Sequence, residues 1–385
     1  MNKRKNILVF IDWFLPGYKA GGPIRSMVNM IELLKDEFNF YVVTSDTDYT
    51  ETQPYPGIEP NKWVKLEEYL EVCYLSQDRT SRSTVLKILK ETDYDVVYIN
   101  GLFSTYFSIM PLWCFSSKSR KIIVNPRGMA APSAIGNKAI RKRFYLKLAC
   151  MFGKYKNVLF HTSSPIESNQ VKCIVGNATK LYEVENVPRV SFKSKNDRNV
   201  SKVKGSLKLI TVARVSGEKN ILYGLKRLKS VQGKVDYSIF GPLNELDYWQ
   251  SCQEVIQQLP SNIRVQYKGA LPYENIREEL AKHHVMYLPT KGENYGHAIV
   301  EALCECVPVL ISDQTIWTEK VNASEAFAAL SLSDKALWQN ALQKLVDLDG
   351  DGYSEMLSRL EQVNQALFNL EALKVRYKAM FNDAS

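Results

Sequence analysis

Several things are missing from this chain, and each absence narrows what it can be. The seven cysteines (Cys73, Cys114, Cys150, Cys173, Cys252, Cys304 and Cys306) form no CxxC pair and are odd in number. Reduced thiols are expected, rather than the framework of a disulfide-stapled secreted domain. The four histidines (His161, His283, His284 and His297) show no HxxxH or Cys/His spacing, which argues against a structural zinc. No apolar run approaches the length needed to cross a bilayer. The N-terminus is basic, but its apolar run carries Asp12 and leads into Pro16 and Gly17, the pattern of a strand and loop rather than of a signal peptide. No internal repeat or low-complexity tract is visible. Acidic residues are unevenly absent. Residues 96–166 contain no Asp or Glu against eleven Lys and Arg, which exceeds the formal charge of +9 for the whole chain. That charge favours an anionic partner. Nucleic acid is not expected, because no helix-turn-helix, RNP or zinc signature accompanies it.

What is present fits an ordinary soluble protein of two domains: 385 residues, 45% hydrophobic and 24% charged. Short apolar runs such as Ile7–Ile11, Phe40–Thr44, Val96–Ile99, Ile122–Val124 and Val158–Phe160 have the composition of strands buried on both faces. After the first of them comes a loop with Gly17, Gly21 and Gly22, then Pro23 where prolines begin helices, then Ile24, Met27, Val28, Ile31 and Leu34 at helical spacing. Strand, glycine loop, helix and strand predict a parallel sheet with its ligand at the strands' C-terminal ends. This is not a GxGxxG fingerprint, and no nicotinamide cofactor is expected. A polar, aperiodic stretch at 191–206 predicts a linker. The alternation then starts afresh at Leu209–Ala213 and runs through Tyr237–Phe240, Val265–Tyr267, Val285–Leu288 and Val307–Ile311. The expected class is α/β with two Rossmann-like domains facing a cleft: 1–190, the linker 191–206, a second domain over 207–359, and a C-terminal helix over 360–385 that packs back on the first domain.

The most informative stretch runs from Lys291 to Leu303. An apolar strand (Val285–Leu288) enters a Pro-Thr-Lys-Gly turn, and Gly296 then opens an apolar, helix-forming run. A helix N-terminus suits an anion such as phosphate, because its first N–H groups are unpaired and its dipole is positive there. Two carboxylates bracket the junction. Glu293 precedes the helix, and Glu301 lies inside it, leaning back toward the mouth because helical side chains tilt toward the N-terminus. Carboxylates repel phosphate but accept hydrogen bonds from hydroxyls, and that combination fits a nucleotide sugar. Arg214 closes the first strand of the second half and Lys219 follows, a pair suited to a diphosphate. Asp347, Asp349 and Asp351 match the opening of a calcium loop, but its twelfth position is Ser358, so a surface turn is expected and no metal.

Taken together, Gly21-Gly22, Arg214 with Lys219, and Glu293-x7-Glu301 followed by Pro308-Val309 resemble the retaining, two-domain glycosyltransferases usually called family 4. The resemblance covers nearly the whole chain and is most specific over GENYGHAIVEALCECVPVLISDQTIW. It implies a GT-B fold, a UDP- or GDP-sugar donor in the interdomain cleft, no metal and no cofactor beyond the nucleotide sugar itself. Carried over, it places Arg214 and Lys219 on the donor diphosphate, Glu293 on the donor sugar and Glu301 on the ribose hydroxyls. The Gly296, His297 and Ala298 amides lie at the helix mouth, and Gly21 and Gly22 let the N-terminal loop approach the diphosphate or the transferred sugar. Two positions depart from the family. Cys306 stands where Gly is usual before Pro-Val. Where many members place a His against the sugar, this chain reads Asn125-Pro126-Arg127-Gly128-Met129, which makes Arg127 the candidate sugar-side or acceptor-side group and Asn100 a secondary one.

The expected activity is retaining transfer of a sugar to a glycan or polyprenyl-linked glycan in bacterial surface polysaccharide synthesis, in the cytoplasm or peripherally on the inner membrane face. The alternatives are a GT-B nucleotide-sugar epimerase and a catalytically silent sugar-nucleotide-binding scaffold. Ile140, Phe144, Leu148, Met151, Phe152 and Tyr155 form an apolar stripe inside the acid-free segment. It predicts either a face that lies on an anionic membrane or a core face with a solvated basic back.

Overall fold

The computed structural model describes residues 4–115, 120–136, 139–177, 180–188, 193–198, 200–293, 295–324 and 327–383. The chain divides into two compact units, Met1–Val187 with Leu370–Ser385, and Pro188–Asn369. The first unit holds strands β1 (Lys5–Phe10), β2 (Phe38–Ser45), β3 (Trp63–Glu67), β4 (Leu70–Leu75), β5 (Val96–Asn100), β6 (Lys121–Asn125), β7 (Val158–Thr162) and β8 (Lys180–Glu183). Its helices are α1 (Gly22–Leu34), α2 (Arg82–Glu91), α3 (Met110–Cys114), α4 (Pro132–Gly136), α5 (Ala139–Met151) and α6 (Pro165–Val175). The second unit holds β9 (Ser206–Val212), β10 (Lys234–Phe240), β11 (Ile263–Tyr267), β12 (Val285–Leu288), β13 (Val309–Ser312) and β14 (Phe327–Leu330). Around them lie α7 (Ile221–Leu228), α8 (Leu246–Gln257), α9 (Ile276–Ala281), α10 (His297–Cys304), α11 (Thr318–Ser324), α12 (Lys335–Asp347) and α13 (Gly350–Leu367), and α14 (Leu370–Asp383) then returns to the first unit.

The first sheet runs β3-β4-β2-β1-β5-β6-β7-β8, parallel throughout except for the β3–β4 pair. The second runs β11-β10-β9-β12-β13-β14 and is wholly parallel. Every residue of β5, β7, β12 and β13 is buried, because a parallel sheet is covered on both faces, and this is why those strands read as continuous apolar runs. Both sheets reverse their strand order beside their first strand, between β1 and β5 and between β9 and β12. In an open parallel sheet the loops diverge at such a point and leave a crevice beyond the strands' C-terminal ends.

Two expected boundaries shift. The C-terminal segment is not one helix over 360–385: residues 360–367 finish α13 in the second unit, and the helix breaks at Phe368-Asn369. The break has a packing cause. Phe368 is buried in the second unit's core with its ring 5.5 Å from that of Trp317. Only α14 joins the first unit, where Phe381 sits 5.3 Å from Phe38 and 5.9 Å from Tyr98. Tyr377, Met380 and Phe381 are buried there, and each such side chain contributes about 1.5–3 kcal/mol over leaving it exposed. The second shift concerns 191–206. Its described residues belong to the second unit rather than to a free linker. Arg198 donates to the carbonyls of Cys306 and His283, and the buried Lys202 ammonium donates to the carbonyls of Val346 (3.2 Å) and Leu348 (2.6 Å). These charged side chains close backbone acceptors of the unit they precede. A polar, aperiodic sequence looks the same whether its side chains face water or carbonyls.

Candidate functional site

The order reversal of the second sheet gathers most of the expected residues. β9 ends at Val212, and the next turns carry Arg214 and Lys219 before Asn220 opens α7 at φ 58°. β12 ends at Leu288, and the Pro-Thr-Lys-Gly turn leads to Glu293 and to Gly296, which opens α10 at φ 77°. The two loops are laced together. The Lys291 amide donates to the Glu218 carbonyl (2.8 Å), and the Thr290 hydroxyl to the same oxygen (3.2 Å). The Lys219 ammonium lies 2.7 Å from the Glu293 carboxylate, with only 11% and 13% of the two side chains exposed. Arg214 is exposed and has no hydrogen-bond or ion-pair partner among the described residues. Glu301 is buried one turn into α10, on the same helical face as His297.

The α10 N-terminus has no side-chain cap. A left-handed residue turns the chain sharply into the helix, and Gly tolerates that conformation without penalty. A Cβ on Gly296 would also press on Ile299 at 3.0 Å. The ring of Tyr295 sits 4.8 Å from His297 and 5.6 Å from Trp317, whose indole N–H donates to the Tyr295 carbonyl, so the mouth is held by aromatic packing. After α10 the chain turns at Cys306, which takes φ 55°, the strained geometry that its replacement of Gly threatened.

At the other reversal, in the first unit, Gly21 and Gly22 follow β1, and Arg127 reaches in from the turn after the neighbouring β6 to bond Asn100 at the end of β5. Gly21 takes φ 69° and opens α1 without a side-chain cap. Nothing lies within 4 Å of where its Cβ would be, so backbone conformation and not space demands glycine. The loop before it is pinned by the buried Asp48, which accepts from the amides of Tyr18 (3.0 Å) and Lys19 (3.2 Å). Arg127 follows β6 at φ 54°. Its guanidinium donates to the side-chain oxygens of Asn100 and Asn186, and no carboxylate pairs with it among the described residues. The expected secondary candidate, Asn100, is thus an orienting partner of Arg127.

Several members of this cluster were not expected from sequence. Asn125 accepts from the Arg127 amide (3.0 Å), and its own amide donates to the Tyr98 oxygen (2.9 Å). The fully buried Glu167 takes the Gly128 amide on one oxygen and the Ser163 amide and hydroxyl on the other (2.7 and 2.8 Å). His161 is fully buried, with Nδ1 2.7 Å from the Tyr98 oxygen and Nε2 3.0 Å from the Val184 carbonyl. Burial, reinforced by the nearby Arg127 cation, pushes its pKa down to about 3, so it is neutral. Past β1, the Asp12 carboxylate accepts from Ser104 (2.5 Å), and burial raises its pKa. The one sequence signal for any of these was Ser164-x-x-Glu167, a capping-box pattern. Ser164 does cap α6, but the Glu167 carboxylate bonds the 127–128 turn instead of the cap's own backbone. The Asp-x-Asp near the C-terminus is structural as expected: Asp349 caps α13 by accepting the Gly352 amide (2.9 Å). No cluster of three or more His, Cys, Asp or Glu side chains able to hold a metal occurs among the described residues.

Residues 192–358 match the family described as Glycosyl transferases group 1. A Klebsiella pneumoniae protein, described as an uncharacterised 41.2 kDa protein in the cps region, is 23% identical over 242 residues. That match spans 60% of this chain and 63% of the Klebsiella protein, less than two thirds of its length. Among solved structures, sucrose-phosphate synthase from Thermosynechococcus elongatus superposes with a TM-score of 0.71 at 16% identity, covering 99% of both chains. Anabaena HepE in complex with UDP-glucose gives 0.72 at 14% identity, covering 99% of this chain and 100% of that one. The fold is GT-B, two Rossmann-like units each built on a mostly parallel sheet, and the match to the Glycosyl transferases group 1 model falls within the second unit.

Proposed function

We propose that this chain is a retaining, metal-independent glycosyltransferase of the family 4 kind, moving a sugar from a UDP- or GDP-linked donor to a glycan or polyprenyl-linked glycan. The observation that carries the reading is the meeting of Arg214, Lys219, Glu293 and the uncapped α10 N-terminus at the order reversal of the second sheet. Arg214 and Lys219 take the donor diphosphate, with the Gly296, His297 and Ala298 amides at the helix mouth. Glu301 takes the ribose hydroxyls and Glu293 the donor sugar. In the transfer step the bond from the anomeric carbon to the diphosphate oxygen breaks, and the acceptor oxygen bonds that carbon on the same face. The acceptor's proton passes to the departing diphosphate oxygen, whose developing charge the two cations stabilise. Gly21, Gly22 and Arg127 serve the transferred sugar or the acceptor.

The UDP-glucose bound by HepE in its complex supports a UDP-linked donor, and the cps region named for the Klebsiella relative supports surface polysaccharide synthesis. Thermal denaturation with UDP, GDP and their sugars tests the donor site, because a ligand at a hundred times its Kd adds about 2.7 kcal/mol of stability. One base series should raise Tm and the corresponding sugar nucleotide should be slowly hydrolysed, with EDTA present throughout. If neither series shifts Tm, or if hydrolysis requires added manganese or magnesium, the reading is wrong.

A further inference from the structure

Helix α5 has two apolar faces, and only one of them reaches the core. Successive helical residues turn by about 100°. On one side Leu146 and Ala149 are buried in the first unit's core. On the opposite side Ile140, Phe144 and Met151 fall within about 40° of one another, and they are 86%, 63% and 70% exposed. Phe152, in the turn that follows, is 60% exposed, with its ring edge-on to Trp113 at 5.6 Å. The stripe expected from sequence therefore divides: Tyr155 enters the core, while Ile140, Phe144, Met151 and Phe152 face solvent. Large apolar side chains clustered on a surface mark an interaction site.

The cations around this ridge say what it meets. Lys147 projects within the same wedge, and Arg143 and Arg141 flank it on either side. All three are exposed and have no partner among the described residues. Lys142 and Lys154 are engaged inward: their ammonium groups bond the carbonyls of Ala134 and Trp113 and lie 5.0 and 5.2 Å from the rings of Phe103 and Trp113. No acidic residue occurs anywhere from 96 to 166, so no nearby sequence neutralises the ridge.

We propose that the α5 ridge docks this chain on an anionic lipid bilayer. Ile140, Phe144, Met151 and Phe152 enter the headgroup boundary, while Arg141, Arg143 and Lys147 meet anionic headgroups. An acidic surface without an apolar layer leaves the four apolar side chains in water, and a neutral apolar partner leaves the three cations unpaired. A bilayer satisfies both sets. The proposal deepens the lipid-linked-acceptor reading, but its surface is separate from the donor site, so the two fail separately.

The test is sedimentation with vesicles of phosphatidylcholine alone or mixed with phosphatidylglycerol, at low and high sodium chloride. The parent chain is expected to bind only the mixed vesicles and to be released by salt. Two triple variants separate the two contributions: Arg141→Glu with Arg143→Glu and Lys147→Glu, and Ile140→Ser with Phe144→Ser and Met151→Ser. Each cation is worth about fivefold in binding, so the glutamate variant is expected to lose at least about a hundredfold and the serine variant, through lost apolar burial, at least about tenfold, while both keep the parent's Tm and its UDP- or GDP-dependent stabilisation. Lys142 is left in place because it is tied inward. Parent protein that ignores anionic vesicles overturns the proposal, as does a serine variant that still binds them like the parent. A parent dimer that the serine variant dissolves gives the ridge to a second copy instead and equally overturns it. Loss of nucleotide-dependent stabilisation in the parent removes the donor reading and leaves the vesicle result standing.

Discussion

The two order reversals handle positive charge in opposite ways. Beyond β9 and β12, Lys219 is already committed to Glu293 at 2.7 Å, and Arg214 has no partner among the described residues. Beyond β5 and β6, Arg127 is clasped by Asn100 and Asn186, two neutral oxygens that orient the guanidinium without cancelling its charge. The first arrangement is close to electroneutral, and an incoming diphosphate must share Lys219 with a carboxylate. The second is a cation fixed in direction and uncompensated, held on a backbone at φ 54° that Glu167 secures by bonding the next amide. Strain of that kind persists where the surroundings over-determine it. Under the proposed function, the second unit would hold a mobile charged donor and the first would present an oriented cation.

The sharpest way to break this comparison is at the paired site. Arg214→Ala removes a cation with no structural partner, so kcat/KM for the nucleotide sugar is expected to fall about 10²–10³-fold with Tm unchanged. Lys219→Ala removes the same kind of contact and also strands Glu293, so it is expected to lower both kcat/KM and stability. Breaking a buried pair from one side costs about 3 kcal/mol, and 11–13% exposure moderates that loss. Adding Glu293→Ala to Lys219→Ala should then recover most of the lost Tm while leaving turnover impaired. Equal Tm values for the two single variants and the double one would show that the pair has no energetic meaning.

At the unpaired cation the effect is smaller and falls elsewhere. Arg127→Met keeps the length of the side chain and removes the charge, leaving the Asn100 and Asn186 oxygens without their donor. Turnover is expected to drop about 10–100-fold, the scale of a lost charged hydrogen bond, with UDP or GDP binding by calorimetry unaltered. Arg127→Lys should not rescue it, because a point charge cannot reach two separate amide oxygens in the planar arrangement a guanidinium offers. A variant whose nucleotide affinity falls in step with its turnover would move Arg127 to the donor and erase the division between the two units.

Much of this was legible in the sequence where one strand meets one helix. The strand runs, the parallel sheets, Gly21, Gly296 and the charges of the 291–303 stretch all follow from local patterns, because a buried parallel strand and a glycine-opened helix each leave a mark on a few consecutive residues. The uncapped, left-handed starts of α1, α7 and α10 contrast with α2, α6, α12 and α13, closed by Ser81, Ser164, Asp334 and Asp349, and that contrast too lies in the residue before each helix. What the sequence hid is what depends on distant partners. The Lys219–Glu293 pair spans 74 residues and the Arg127–Asn186 contact 59. Four strands were missed: β3, β8 and β14 are short and only partly covered, so their apolar signal is weak, while β4 is mostly buried and carries a charge, Glu71, inside its run. The stripe near α5 left two readings open, and its residues divide: Tyr155 enters the core, while Ile140, Phe144, Met151 and Phe152 are turned away from it.

The smallest expected effect separates the two units by their buried histidines, one in the first and two in the second. His161 is held neutral with a pKa of about 3 and His284 with one of about 4, while the pKa of His283 is lowered, burial being the largest cause in each. His284 accepts the Lys208 amide on Nδ1 (2.9 Å) and bonds the Ser201 carbonyl through Nε2 (3.1 Å), so protonation would break the first bond. A folded-state pKa below the unfolded value means that acid favours the unfolded chain. Above about pH 7 these groups are neutral in both states and change nothing. As pH falls below the unfolded value of about 6.5 each histidine costs stability, with a limiting slope of about 1.4 kcal/mol per pH unit, and His161 continues to do so until about pH 3. Between pH 7 and pH 5.5 His161 and His284 should each remove about 1 kcal/mol, and His283 acts in the same direction. Urea titrations over that range are therefore expected to show a stability loss that shrinks by about 1 kcal/mol in His161→Gln and by at least as much when His283 and His284 are both replaced by Gln. The readout is the slope and not the offset, since any core substitution lowers stability at every pH. A slope unchanged in both variants would mean that these rings titrate in the folded protein as they do in the unfolded chain, and that neither unit buries them as neutral groups.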